Sequence, residues 1–154
     1  MTANKLYFMQ HGLAVSKTDN PERPLSEDGT NQTRSIAKQL LSSNVPISSI
    51  VHSGKLRAQQ TAGIIADALS VNTVSVADCL SPNDDVALIK QELNVDNALY
   101  VGHLPHLEKL ISSLITGKEE TEIVKFQNSA IIRLERNDSL YHILWYLTPL
   151  LSND

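Results

Sequence analysis

Apolar and polar positions divide this chain into alternating strand-like and helix-like stretches. Leu6 to Met9 form an unbroken apolar run ending at Gln10, so residues 5–10 predict a buried strand. Residues 11–25 contain Pro21 and Pro24 and predict a loop. Ser26 is placed to cap a helix running to about Ser43, with Gly29 weakening its first turn. Residues 47–53 predict a second strand, and a helix follows from about Lys55 to Leu69. Leu56, Ala62, Ile65, Ala66 and Leu69 give that helix one apolar face. A short strand near 72–76 leads into a turn at 79–85, where Asn83 or Asp84 is placed to cap a helix running to about Leu93. Residues 98–102 predict another buried strand. Pro105 suits the first turn of a helix ending near Gly117. Residues 129–136 and 139–147 flank Asn137-Asp138 as a terminal hairpin. The succession predicts a three-layer α/β/α fold in a single domain over residues 1–154. Its central sheet is mostly parallel, with an antiparallel edge.

Composition narrows the setting. The 154 residues are 42% hydrophobic and 19% charged, the profile of an ordinary globular chain. A domain of this size buries roughly two-thirds of its unfolded surface and needs neither disulfide nor metal to fold. The single cysteine, Cys79, cannot form an intramolecular disulfide, which fits a reducing, cytoplasmic location. No basic segment followed by a long apolar stretch opens the chain, so neither secretion nor membrane insertion is expected. The net charge of −4 and the lack of any Lys/Arg cluster argue against nucleic acid as a partner.

Candidate chemistry falls at strand ends, where open α/β sheets bind their ligands. The first strand ends in Gln10-His11-Gly12. The second runs into His52-Ser53-Gly54-Lys55-Leu56-Arg57, with Ser53 at a cap and Arg57 in the first turn of a helix. The third ends in Gly102-His103, just before a helix start. Two imidazoles, a guanidinium and helix N-termini at one edge form a site for an anion, most naturally phosphate. Taken singly, a strand-end histidine usually bonds a neighbouring carbonyl, and a lone Arg57 reads as a solvated helix residue. It is the joint pattern that points to a site. His52, which precedes its motif, His106, facing outward on a helix, and His142, in the edge hairpin, read as structural. Tyr7, Phe8 and Met9 read as core. Metal binding is not expected: Pro105 separates His103 from His106 where the helix is only starting, and no carboxylate stands nearby. No dinucleotide, Walker, serine-hydrolase or zinc-protease motif occurs, so no cofactor is expected.

The order Gln-His-Gly (10–12), Arg-Pro-Leu-Ser-Glu-Asp-Gly (23–29), Ser-Gly-Lys-Leu-Arg-Ala-Gln-Gln-Thr (53–61) and Gly-His-Leu-Pro-His (102–106) resembles the histidine phosphatase superfamily. Within it, the chain is similar to the small bacterial SixA-type phosphohistidine phosphatases. The resemblance runs from Leu6 to the final hairpin and includes Asn128-Ser129-Ala130. It implies a phosphoglycerate mutase-like fold and a metal-independent phosphatase. His11 would be the nucleophile that takes the phosphoryl group on nitrogen, Arg57 would clamp the equatorial oxygens, and His103 would bond the same oxygens. Arg23 would bring a further cation. Gln10 and Gly12 would contact the phosphoryl group, Gln10 standing where the superfamily has arginine and supplying uncharged N–H donors instead.

Short connections leave little chain for a lid and predict an open, shallow pocket. Asp84 and Asp85 are the carboxylates nearest in sequence to an acid's position, although both also suit helix capping. A phosphoramidate releases imidazole and can dispense with such an acid, whereas an alkoxide leaving group cannot. The expected substrate is therefore phosphohistidine on a protein, such as a histidine-containing phosphotransfer domain. The alternatives are a small phosphate ester as substrate, or a module that binds phosphorylated partners without turning them over.

Overall fold

The computed structural model describes residues 2–149. Ten elements alternate as read from the sequence: β1 (Lys5–Gln10), α1 (Glu27–Ser42), β2 (Ser49–His52), α2 (Leu56–Leu69), β3 (Val74–Val76), α3 (Val86–Lys90), β4 (Ala98–Gly102), α4 (His106–Thr116), β5 (Ile131–Asn137) and β6 (Leu140–Leu147). The sheet has six strands in the order β3-β2-β4-β1-β5-β6. Its first four strands are mutually parallel, and β5 and β6 add the antiparallel edge. This is the α/β architecture expected above, a mostly parallel sheet with an antiparallel edge.

Strand alternation sorts two cores. Tyr7, Met9, Ile50, Leu99 and Val101 pack against α1 and α2. Leu6, Phe8, Ala98, Tyr100 and Ile132 pack against α3 and α4. Neighbouring β1 and β4 thus lead into helices on opposite faces. The cleft between their carboxyl ends is the switch point at which such sheets bind ligands.

Several local expectations are corrected. The α3 helix is a single short turn capped by Asp85, whose Oδ1 accepts from Ala87 N at 2.9 Å. Asp84 instead closes the preceding turn, accepting from Ser81 N at 2.8 Å, and the helix stops at Lys90 rather than Leu93. Lys55, not Ser53, is the N-cap residue of α2, and the buried face of that helix is Ala58, Thr61, Ala62, Ile65 and Ala66, with Leu56 and Leu69 only half-buried. The hairpin turns through Asp138-Ser139, since Asn137 still pairs with Leu140. The outward placement of His106 is overturned: it is 1% exposed, because the first turn of α4 rolls it beneath the loop that carries Asp84 and Asp85.

Ser26 caps α1 as expected, its Oγ accepting from Gly29 N at 3.0 Å. Gly29 has its own reason for being there. A Cβ at that position would stand 2.0 Å from the carbonyl oxygen of Leu13, so the loop after β1 can lie on α1 only because residue 29 has no side chain. Elsewhere in a helix, alanine in place of glycine gains up to about 1 kcal/mol. Here Gly29→Ala should reverse that sign and cost about 1–3 kcal/mol through forced backbone displacement. Thermal unfolding checks this; a raised Tm would show that the loop does not press on the helix.

Candidate active site

The backbone at His11 is held from both sides of β1. Its N–H donates to the Gly102 carbonyl of β4 at 3.1 Å. Its carbonyl accepts from Ser129 N at 3.3 Å and from Asn128 Nδ2 at 3.1 Å. The imidazole then folds back on its own chain, with Nδ1 2.7 Å from the Gly12 carbonyl oxygen. A carbonyl can only accept, so Nδ1 carries the proton and Nε2 keeps a free lone pair.

Gly12 permits this turn. A Cβ there would meet Thr33 Oγ1 at 2.7 Å and Ser129 Oγ at 3.1 Å, two hydroxyls already bonded to each other at 2.8 Å. The Gly12 N–H donates to Thr61 Oγ1 at 2.9 Å, and that hydroxyl donates to the Arg57 carbonyl at 2.7 Å. One buried threonine therefore ties the His11 turn to the first turn of α2, which carries Arg57.

His103 follows β4 and lies 1% exposed beside His11, with ring centroids 4.9 Å apart and planes at 48°. Its Nε2 is 2.6 Å from Ser53 Oγ, which also accepts from Lys55 N at 3.3 Å. The loop between β1 and α1 brings in Arg23. It folds back through the Ala14–Leu25 bridge, is pinned to α2 where Leu25 N donates to Gln60 Oε1 at 2.7 Å, and holds Arg23 Nε on the Val15 carbonyl at 3.1 Å. Arg23 has a positive φ of 51°.

Burial first, then the field of Arg57 and Arg23, pushes the His11 imidazolium down to about pH 4, although the Gly12 carbonyl pulls the other way. Burial and the neighbouring His11, Arg57, Lys55 and His106 push His103 down to about 3. Burial and Arg23 also lower Arg57, which stays a cation because its ordinary value is so high. The result is two neutral imidazoles among cations. Asp84 and Asp85 exert their field on His106 instead. Among the described residues, no group of three or more His, Cys, Asp or Glu is arranged to hold a metal ion.

The sheet edge thus brings together His11, His103, Arg57 and Arg23, with Gly12 at the turn. Gln10 is 8% exposed, and its Oε1 has no hydrogen-bond partner among the described residues. Continuing the alternation of Leu6 and Phe8, it leans toward the face of α3 and α4. His52 is structural as expected, its Nδ1 accepting from Gly54 N at 3.1 Å, and His142 is exposed.

Comparison with known proteins agrees with this geometry. Residues 6–81 match the model of the histidine phosphatase superfamily (branch 1). Phosphohistidine phosphatase SixA of Escherichia coli (strain K12) is 29% identical over 143 residues, 88% of this chain and 87% of that protein. An uncharacterized protein of Picosynechococcus sp. is 32% identical over 123 residues, 74% of each. The structure of the protein histidine phosphatase SixA complexed with tungstate superimposes with a TM-score of 0.82 at 27% identity, covering 96% of this chain and 98% of that one. This chain belongs to the histidine phosphatase superfamily. It is a phosphatase of the hydrolase class.

The matched span holds Gln10, His11, Gly12, Arg23 and Arg57; His103 and the Asn128-Ser129 support lie beyond it and join the site through the sheet and through side-chain bonds to Ser53 and Thr33. Sequence reasoning missed the positioning hydroxyls. Thr61 and Ser129 stood in quoted motifs, yet nothing in their spacing says that one receives the Gly12 N–H and the other packs on its Cα. Ser53 was assigned to a cap, although its hydroxyl is spent on His103.

Because the two folded imidazoles lie below the ordinary value of 6.5, the unfolded chain binds more protons between there and about 4 for His11 and about 3 for His103. Stability from this source is therefore complete above about pH 6.5 and falls as pH drops through that window. In phosphate-free buffer, imidazole NMR resonances of His11 and His103 should titrate below pH 5. A midpoint near 6.5 for either ring would overturn the neutral assignment.

Proposed function

We propose that this chain hydrolyses phosphohistidine on a protein partner, through a covalent phosphohistidine intermediate on His11 and without a metal. The observation that carries this reading is the lone pair of His11 Nε2, freed by the Nδ1–H bond to Gly12 and set among cations. In the first step Nε2 attacks phosphorus while the P–N bond to the partner's imidazole breaks. That ring departs, taking any proton it needs from solvent. In the second step water attacks the phosphorus, the P–Nε2 bond breaks, and inorganic phosphate leaves. Phosphorylation makes the His11 ring cationic, and the Gly12 carbonyl on Nδ1–H stabilises it.

Arg57 and Arg23 bind the phosphoryl oxygens and offset the charge that builds on them, the main catalytic demand of phosphoryl transfer. In its Nε2–H form His103 donates to the same oxygens in exchange for Ser53 Oγ, Gln10 adds a neutral amide donor, and Gly12 lets the phosphoryl group approach the backbone. The likeness to SixA complexed with tungstate, a tetrahedral oxyanion, supports a phosphate-shaped site here.

The choice of substrate rests on proton supply. The charged groups acting on His11 are Arg57 and Arg23, while Asp84 and Asp85 are committed to Ser81 N and Ala87 N. An alkyl ester needs an acid to protonate its leaving oxygen, and a phosphohistidine does not. The uncharged Gln10 favours one other reading, a module that binds phosphorylated proteins without turnover.

Incubation with a labelled phosphohistidine protein, followed by an alkaline quench, separates the two. Label should appear on His11, and His11→Ala should lose turnover by several orders of magnitude while staying folded. Absence of label together with tight binding would establish the module.

Gln10 generates a further expectation. A bond from a charged donor is worth roughly 1.5–3 kcal/mol against about 0.5–1.5 for a neutral one, so Gln10→Arg should tighten vanadate inhibition about tenfold. Unchanged inhibition in a stably folded variant would show that residue 10 does not reach the phosphoryl group.

A further inference from the structure

A groove of about 520 Å³ runs down the outer half of the sheet, on the face of α3 and α4. Its floor is half-buried Val51 of β2, with the buried Ala98 and Tyr100 of β4 behind it. Its walls expose large apolar groups: Val76 at 58%, Leu88 at 52% and Val95 at 48%. The charged residues lining it are Asp78 and Glu92, both acidic, and the lysine of α3, Lys90, is turned away onto Ser113 Oγ at 2.7 Å. At its upper end Ala77 N donates to the His52 carbonyl at 3.0 Å, and Val76 packs on Gly54. The groove therefore opens beside the Ser53–Lys55 turn that holds His103.

We infer that this groove docks a segment of the phosphorylated partner that carries apolar side chains with Lys or Arg beside them. Three observations choose that occupant. Exposed Val76, Leu88 and Val95 line the same groove as Glu92, so apolar and acidic surface stand side by side in it. The acidic lining selects a basic flank. Continuity with the His103 turn places the occupant on the molecule whose phosphoryl group enters the site. The inference rests on the proposed protein substrate, and it adds where that substrate is gripped away from the chemistry.

Leu88 and Asp78 are exposed and stand outside the catalytic cluster, so Leu88→Ala and Asp78→Lys should leave the fold intact. The probe is a helical phosphotransfer domain carrying phosphohistidine, compared with phosphoramidate, which is too small to use the groove. The double variant should raise KM for the phosphoprotein at least fivefold, with kcat and phosphoramidate hydrolysis unchanged. The wild-type KM should also rise with salt. An unchanged KM would overturn the inference, as would equal losses on both substrates. Titration calorimetry with the unphosphorylated domain keeps the two readings apart. Weaker binding by the variant upholds docking even if the wild type turns nothing over, whereas equal binding overturns it. Sedimentation showing a wild-type dimer that the variant dissociates would reassign the groove to a second copy.

Discussion

Much of this molecule hangs on the bond from His11 Nδ1–H to the Gly12 carbonyl. It determines which nitrogen of His11 is free, and it requires the chain to bend sharply just past β1. The bend needs a glycine because Thr33 and Ser129 occupy the space of a Cβ. Once bent, the Gly12 N–H needs an acceptor in the interior, which Thr61 provides from α2. An unmet N–H there would cost about 1–3 kcal/mol. Satisfying the backbone of one turn thus also ties His11 to the turn that carries Arg57.

The same burial that positions the two imidazoles keeps them uncharged. A cationic His11 would repel Arg57 and Arg23 and have no lone pair to offer, so the depressed values and the proposed nucleophilic role share one cause. Folding bears the cost on the acid side, where the unfolded chain takes up protons that the native one refuses. The protein keeps these groups despite that cost, as sites built for chemistry do. His106 belongs to a different environment. Although buried, it sits under the field of Asp84 and Asp85, which pull its value up against its burial.

The fold was legible because its signals are local and repeated: apolar strand runs, a serine cap at Ser26, a proline opening α4 and Gly117 closing it. The candidate site was legible as residue types at strand ends, since the order of an open sheet brings those ends together. What escaped was contact between distant side chains. Thr61 to Gly12 spans 49 positions and Thr33 to Ser129 spans 96, and neither pair leaves a periodic trace. His106 was misplaced for a related reason. Its helix is amphipathic, but residue 106 opens the first turn, where the preceding loop rather than helical period decides what is buried. Gly29 looked like a flaw in a helix because the carbonyl that needs the room belongs to Leu13, in a loop whose course the sequence does not declare.

Charge is distributed so that the chain's net value says little about what it attracts. The total is −4, yet Arg23, Arg57 and Lys55 gather at one sheet edge while Asp78 and Glu92 line the groove beside it. Screening over about 8–10 Å lets the two patches act separately on anything that spans both. A free phosphate ester is small enough to meet the cationic edge alone. A protein carrying one phosphoryl group within a basic, partly apolar surface meets both patches with favourable sign. On the proposed reading, the arrangement would discriminate by the surroundings of the phosphoryl group as well as by its leaving atom, a selection that an open site without a carboxylate acid could not make from chemistry alone.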